Sequence, residues 1–277
     1  MAFANSRPQT ETSVDWKALN EHIVSTAGTQ NKRRSLVGII SGVIDLGIQP
    51  QEDAEVEFTG TPEQEAQAIA EKPTTYFKDG FIYKGGKSVP ARLKCWPVKS
   101  ANSIAISVDF PQIVVDKGQF FGKSDPAPLR MLLNGEFTQN GAIGLGRTYS
   151  LTWERLDNGD FTLKRNSLPY KLAAATDVIV DGAKFLPEQL PQLVGRAAQF
   201  EVQARINDKG YLEEKIKFAG VIPEGLPVPE IDSKYLYTVE FGVENDPKVL
   251  NKLRKSVINT IKNAENYHSD VIKTQLE

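Results

Sequence analysis

The chain has 277 residues, which is enough for one elaborated domain or two small ones. Its hydrophobic fraction of 40% supports a buried core, and no apolar run reaches the roughly 18 residues that a membrane-spanning helix needs. A single cysteine, Cys95, excludes an internal disulfide. The N-terminus has no basic stretch leading into an apolar one, as a secretory signal would, so we expect a cytoplasmic protein.

The net charge of −2 hides a strong local asymmetry. Residues 50–71 contain seven acids and no base, whereas residues 78–99 contain six bases and one acid, Asp79. These segments are either two solvated loops of opposite sign or a local field that attracts an anionic ligand, because steering depends on local charge rather than on the sum.

The first third of the chain predicts a helix followed by one long strand. Ser13 or Asp15 can cap the helix, which closes at Gly28. Residues 36–48 are rich in β-branched side chains, and their glycines permit a bulge or a bend. Three short features follow: a strand near 56–58, a helix over 63–71 and a loop-rich segment with Gly80, Gly85 and Gly86.

The middle of the chain predicts further strands and one helix. Asn-Gly at 158–159 and the run 207–210 predict tight hairpin turns. Residues 167–180 change to a helical period. The predicted strands are 89–98, 104–110 with a continuation at 113–115, 129–133, 149–153, 193–206 and 211–221.

The order of these elements predicts a mainly β protein with accessory helices. Several strands, one helix and two closing strands form the layout of an OB-fold-like barrel, here with long insertions and a C-terminal helix. The expected organisation is an N-terminal helix and linker (1–34), an OB-like barrel domain with insertions (35–222), a proline-rich linker (223–245) and a C-terminal amphipathic helix (246–277).

Catalytic chemistry is poorly represented. The two histidines, His22 and His268, lie near opposite ends of the chain, and with one cysteine they form no metal-ligand spacing. The glycine-rich runs at 85–88, 118–124 and 141–146 lack the spacing and the following helix of a phosphate loop, and are better interpreted as hairpin loops. We therefore expect no enzyme, no metal and no cofactor, although a carboxylate-dependent hydrolase remains open.

The basic segment is interleaved with aromatic residues. Nonspecific binding of a single strand uses this pairing, because cations follow phosphates and rings stack on any base. On a strand, Arg92, Lys94 and Trp96 would share one face; alternatively, Trp96 belongs to the core. The residues expected to bind single-stranded DNA here are Tyr76, Phe77, Tyr83, Lys84, Lys87, Arg92, Lys94, Trp96 and Lys99.

A second candidate row follows the same alternation. It consists of Arg147, Tyr149 and Trp153, with Lys164 and Arg165 across the hairpin. In the alternative, Trp153 pairs with Phe161 in the core. Lysines on the C-terminal helix could also reach DNA, although that helix more simply packs on the barrel or on a second subunit.

Five runs carry a family resemblance: 35–49, 89–115, 128–135, 193–196 and 216–218. Together they resemble the single-stranded-DNA-binding-like proteins of tailed-bacteriophage replication modules. The resemblance covers roughly residues 13–222 and implies an OB-fold, a role in phage DNA replication or recombination, partners from those processes and no cofactor.

The chain departs from that family at its end. Proteins of this function often end in an acidic tail that recruits partners, whereas this chain ends in the run 272–277, IKTQLE. The internal acidic segment 52–71 could take over recruitment, or could occupy the basic groove when DNA is absent. The main alternative is a phage structural or assembly protein that acts through protein contacts, and a homodimer is compatible with either function.

Overall fold

The computed structural model describes residues 14–139 and 142–277, which are mainly β. The strands are β1 (Arg34–Gln49), β2 (Ala54–Glu57), β3 (Tyr76–Lys84), β4 (Lys87–Trp96), β5 (Ala101–Asp116), β6 (Pro126–Leu132), β7 (Glu136–Gln139), β8 (Ala142–Leu145), β9 (Tyr149–Ser150), β10 (Trp153–Arg155), β11 (Phe161–Leu163), β12 (Ala197–Ile206), β13 (Leu212–Gly220) and β14 (Tyr237–Val239). They form several antiparallel sheets, to which β14 adds one parallel pairing.

The α-helices are α1 (Trp16–Ala27), α2 (Pro62–Glu71), α3 (Leu168–Ala175), α4 (Pro247–Leu250), α5 (Lys255–Lys262) and α6 (Ile272–Leu276). Four short 3-10 helices lie between them, at Gly118–Phe121, Pro187–Leu193, Ser233–Tyr235 and Tyr267–Ser269. Within the described parts of the chain, no helix combines the length and the apolarity needed to cross a bilayer.

The central sheet is built around the two longest strands, β1 and β5. Its strand order is β13-β12-β1-β5-β6. The first half of β1 pairs with β12, and the second half pairs with β14. The predicted irregularity in β1 is confirmed, because its pairing with β5 shifts register between Ile40 and Gly42. A Cβ atom at Gly42 would lie 2.4 Å from the Tyr237 ring, so glycine is needed for that ring to lie against the strand.

The central sheet remains open in the described residues, because its two edge strands, β6 and β13, do not pair with each other. We call the gap between them the seam. Arg254 spans it: the guanidinium donates to Glu214 on β13 at 2.8 Å, to Glu136 at the start of β7 and to the carbonyl of Arg130 on β6. The closed barrel expected from the sequence is therefore wrong here, since a charged side chain stands where backbone hydrogen bonds would close the ring.

Both faces of the sheet bury apolar side chains. One face packs against α1 and α3 around Phe110 and Phe200, whose rings meet edge to face at 6.1 Å. The opposite face, at Ile44 and Leu46, is covered by the C-terminal residues from β14 onward. The C-terminal segment is therefore part of the fold, and the expected linker 223–245 contributes a strand to the sheet.

The single amphipathic helix predicted over 246–277 is wrong. Three short helices, α4, α5 and α6, replace it. Asp246 caps α4 as predicted, but that helix ends after one turn at Leu250. The predicted apolar stripe is nevertheless largely buried in the same cluster as Ile44 and Leu46 of the sheet; its buried members are Leu250, Val257, Ile261 and Ala264.

Other element boundaries are corrected in the same way. The helix predicted over 167–180 ends at Ala175, just before Asp177 takes a left-handed φ of 55°. The strand predicted over 149–153 is divided between β9 and β10, and the strand predicted from residue 193 begins at Ala197, after a 3-10 helix. The two hairpin turns are confirmed, with φ of 92° at Gly159 and 81° at Gly210.

An insertion between β1 and β5 forms a small separate sheet, which we call the arm (residues 54–96). Its strand order is β2-β4-β3, and α2 follows β2. Strand β3 occupies the segment expected to be loop-rich, and Gly85 and Gly86 form the tight turn to β4 with φ of 57° and 82°. Helix α2 matches its prediction, and a capping box at Thr61 begins it, but none of its side chains is buried.

Candidate nucleic-acid interface

A groove of about 650 Å³ lies along β5 and β6, on the sheet face that also carries the C-terminal segment. We call it the sheet groove. The 3-10 helix Ser233–Tyr235 and α4 form part of its walls. Its cationic and aromatic lining residues are Lys117, Phe121, Arg130, Lys234, Tyr235, Tyr237, Lys248 and Lys252.

Arg130 is held rigidly in this groove. Its Nε and Nη2 atoms donate to the Asp109 carboxylate at 2.7 and 2.9 Å, and Nη2 also donates to the Tyr235 carbonyl at 2.8 Å. Burial works to lower the pKa of Arg130, but Asp109 raises it overall, so the guanidinium stays charged. Among the described residues nothing bonds its Nη1 atom, which leaves one donor for a ligand.

A buried polar network supports Arg130 from below. Asp109 is 1% exposed and also accepts from the Ser41 hydroxyl at 3.0 Å. The hydroxyls of Ser107 and Tyr237 lie 2.7 Å apart, and burial raises the pKa of Tyr237. The Tyr237 ring lies beneath the guanidinium of Arg130, at 4.9 Å from its centroid to the Arg130 carbon Cζ. The donor geometry is therefore organised before any ligand arrives.

The rim of the groove carries exposed cations and rings. Lys248 and Lys252 are exposed, and in the described residues neither has a carboxylate oxygen within 4.0 Å. Phe121 is 57% exposed and meets the ring of Trp16 edge to face at 5.9 Å. The ammonium of Lys234 lies 4.9 Å from the Tyr235 ring centroid. The rim therefore offers both residue types that a single strand requires.

The charges of the groove favour an anion. Five cations line it, against the three carboxylates Asp109, Asp125 and Asp246. Arg130 and Asp109 neutralise each other, Lys234 pairs with Asp232 at 3.3 Å, and Asp246 accepts from the backbone N–H of Lys248 at the start of α4. Lys117, Lys248 and Lys252 therefore face Asp125 and Asp246. Local positive potential therefore coexists with the slightly negative net charge of the chain.

The alternation predicted for β4 is confirmed in the arm. Leu93 and Cys95 are buried, whereas Arg92, Lys94 and Trp96 lie on the other face and are half-buried. The interpretation of Trp96 as a core residue is not supported, since the side chain remains partly accessible. The Lys72 ammonium lies 5.5 Å from the Trp96 ring centroid.

Acidic residues of the arm neutralise half of its bases. Arg92 donates to both carboxylate oxygens of Glu65 on α2, at 2.7 and 2.9 Å, which raises the pKa of Arg92. Lys84 pairs with Glu57 at 2.7 Å, and Lys78 pairs with Glu55. The acidic segment 52–71 therefore forms ion pairs with the basic strands of the arm.

The remaining arm residues differ in accessibility. Near the turn of the arm, the side chains of Tyr83 and Phe81 are 78% and 69% exposed. Phe77 instead packs on Phe58, with ring centroids 4.8 Å apart. The hydroxyl of Tyr76 donates to Asp53 at 2.7 Å, which raises the pKa of Tyr76 to about 12. Of the bases predicted within residues 78–99, three have no carboxylate oxygen within 4.0 Å in the described chain: Lys87, Lys94 and Lys99.

The second predicted row is dispersed over several short strands. The Tyr149 hydroxyl donates to the Leu133 carbonyl at 2.8 Å, and burial raises the pKa of Tyr149 to about 12, so this ring is part of the scaffold. Trp153 and Phe161 are 50% and 58% exposed, which contradicts a core pair. Among the cations of this row, Arg165 pairs with Glu154. Lys164 directly follows β11, and Arg147 is exposed.

Sequence reasoning missed the sheet groove. One local signal existed: Arg130 alternates with Leu129 and Met131 on a predicted strand, so its side chain had to leave the core. Tyr235 and Tyr237 lie in the segment expected to be a linker, where no pattern indicated a site.

Comparisons with family models, with curated proteins and with solved structures found no match to this chain.

Proposed function

We propose that this protein binds single-stranded DNA without sequence preference, and that the strand lies in the sheet groove. The observation that carries the proposal is the lining of that groove, in which four lysines and three aromatic rings surround the preorganised guanidinium of Arg130. Rings that stack on any base and cations that contact phosphates are the components of sequence-independent single-strand binding.

The strand order supports the further proposal that the fold is an OB-fold opened at the seam. Strands β1, β5 and β6 form a meander, and β12 and β13 follow α3 and extend the sheet beyond β1. OB-folds bind oligonucleotides on the face of their second and third strands and on the loop between the first two. The corresponding elements here are β5, β6 and the arm.

The free energies of base stacking and of phosphate contacts are sufficient for useful affinity. One stacked base contributes about 1–3 kcal/mol, and each phosphate neutralised adds about 0.7 to the slope of log K against log salt. Stacking of bases on Phe121 and Tyr235, together with phosphate contacts from two or three cations of the groove, therefore suffices. A role in phage replication or recombination rests on the sequence resemblance and forms part of the proposal.

The second candidate function is a phage structural or assembly protein. It is favoured by the exposed rings of Phe81 and Tyr83 near the turn of the arm, because aromatic side chains dominate protein interfaces as well. It predicts a stable, salt-resistant oligomer and no affinity for oligonucleotides.

Fluorescence anisotropy with a labelled oligo-dT and a matched duplex distinguishes the two functions. We expect tighter binding of the single strand, weakened by salt. In Lys248→Ala/Lys252→Ala, the affinity at 0.1 M salt should fall about 25-fold and the salt slope by about 1.4. The control Lys17→Ala/Lys273→Ala removes the same charge from α1 and α6 and should leave both quantities unchanged. Absence of oligo-dT binding by the unmodified protein would contradict the proposal.

A further inference from the structure

A second cavity, of about 830 Å³, opens between β13, α3 and the residues that follow β6. Four cations line it: Arg147, Lys171, Lys215 and Lys217. All four are exposed. Lys215 pairs with Glu213 at 2.8 Å, whereas in the described residues the other three have no carboxylate oxygen within 4.0 Å. Tyr149 and Phe218 add aromatic surface to the same cavity.

The two carboxylates that line this cavity are engaged by one cation at the seam. Glu136 and Glu214 both accept from the guanidinium of Arg254. Burial alone would raise the pKa of Glu214, but the charges of Arg254 and Lys117 hold it below its usual value. The exposed cations of the cavity therefore remain available to an anion.

The seam connects this second cavity to the sheet groove. Arg254 bonds Glu136 and Glu214, which line the cavity, and the same guanidinium donates to the carbonyl of Arg130, which lines the groove. Arg254 therefore bonds residues that line both sites. The gap that keeps the sheet open is bordered by cations on both sides.

We propose that a single strand bound in the sheet groove continues across the seam into the second cavity, where Arg147 and Lys171 contact its phosphates. This inference rests on the proposed function of the groove and names the path and the footprint of the same ligand. Phosphodiester is the ligand class that the site fits, because its cations lie on separate elements and can follow a backbone without selecting a base.

The path predicts an effect that depends on oligonucleotide length. A strand of about four nucleotides, the lower end of the site sizes known for OB-folds, fills the groove alone, whereas a (dT)20 strand reaches both sites. In Arg147→Ala/Lys171→Ala, the affinity for (dT)20 at 0.1 M salt should fall about 25-fold, and the salt slope should fall by about 1.4. The affinity for (dT)4 should not change.

Two controls accompany this test. Arg147→Lys/Lys171→Arg keeps both charges and should bind (dT)20 like the unmodified protein, and Lys17→Ala/Lys273→Ala should do the same. Equal thermal midpoints for all variants show that the fold is intact. If the unmodified protein binds (dT)20 and Arg147→Ala/Lys171→Ala binds it equally well, the proposed path into the second cavity is wrong. Binding in the sheet groove would not be contradicted by that result. If the unmodified protein binds neither strand, the proposed function itself fails.

Discussion

The ion pair between Arg130 and Asp109 has two expected roles: it stabilises the folded sheet, and it holds Arg130 in place to contact a phosphate of the proposed ligand. The Asp109 side chain is 1% exposed, and that of Arg130 is 25% exposed. Removing one partner of such a pair leaves an uncompensated charge, which costs about 3–5 kcal/mol. Arg130→Ala also removes the donor to the Tyr235 carbonyl. We therefore expect Arg130→Ala to lower the free energy of unfolding by about 3–5 kcal/mol.

A second variant separates stability from binding. Asp109→Asn/Arg130→Met removes both charges, preserves an acceptor for Ser41 and fills the volume of the arginine stem. Because replacing a buried pair by groups of similar volume is often neutral, most of the lost stability should return. The contact of Arg130 with phosphate should not return, so affinity for oligo-dT at 0.1 M salt should remain about fivefold below that of the unmodified protein.

Urea unfolding and anisotropy measure the two effects. An unfolding midpoint of Arg130→Ala equal to that of the unmodified protein would refute the energetic role of the pair. A double variant that regains full DNA affinity would refute Arg130 as a ligand contact.

Three further predictions concern sites around the groove and beyond it. Oligo-dT should quench the fluorescence of Trp16, which borders the groove through Phe121, so Trp16→Phe should abolish most quenching; quenching lost instead in Trp153→Phe would place the ligand elsewhere. Arg92 on the arm pairs with both Glu65 and Asp79, so Glu65→Gln/Asp79→Asn releases it and should raise DNA affinity about fivefold at 0.1 M salt if the arm contacts the strand; unchanged affinity would exclude these carboxylates as competitors of DNA. Burial raises the pKa of Asp45 above 3.8, so the folded state favours its protonated form and ionisation costs stability as pH rises through the folded-state pKa. Asp45→Asn should therefore raise the thermal midpoint at pH 7, and this gain should vanish as pH falls below 3.8; an equal gain at both pH values would contradict the assignment.

The elements that the sequence predicted best are those encoded by neighbouring residues. The turns at Gly159 and Gly210 follow from local preferences for positive φ. The alternation of Leu93 and Cys95 with Arg92 and Lys94 follows from the two-residue period of a strand. The acidic helix α2 begins with a capping box that four residues specify.

The parts that sequence reasoning missed depend on contacts between distant segments. Strand β14 has three residues and gains its partner, β1, from a position about 200 residues earlier. The sheet groove combines Arg130 with Tyr235 and Tyr237, and only the folded chain brings these residues together. The C-terminal stripe was identified correctly, but its periodicity gave no sign that the segment divides into α4, α5 and α6.

Photocrosslinking tests the location of the strand most directly. An oligo-dT that carries 5-iododeoxyuridine, irradiated in complex with the full chain and analysed by peptide mass spectrometry, should crosslink to aromatic residues that line the groove, chiefly Phe121 and Tyr235. Crosslinks confined to Phe81 and Tyr83 near the turn of the arm would contradict the account, because the strand would then lie away from the β5 and β6 face.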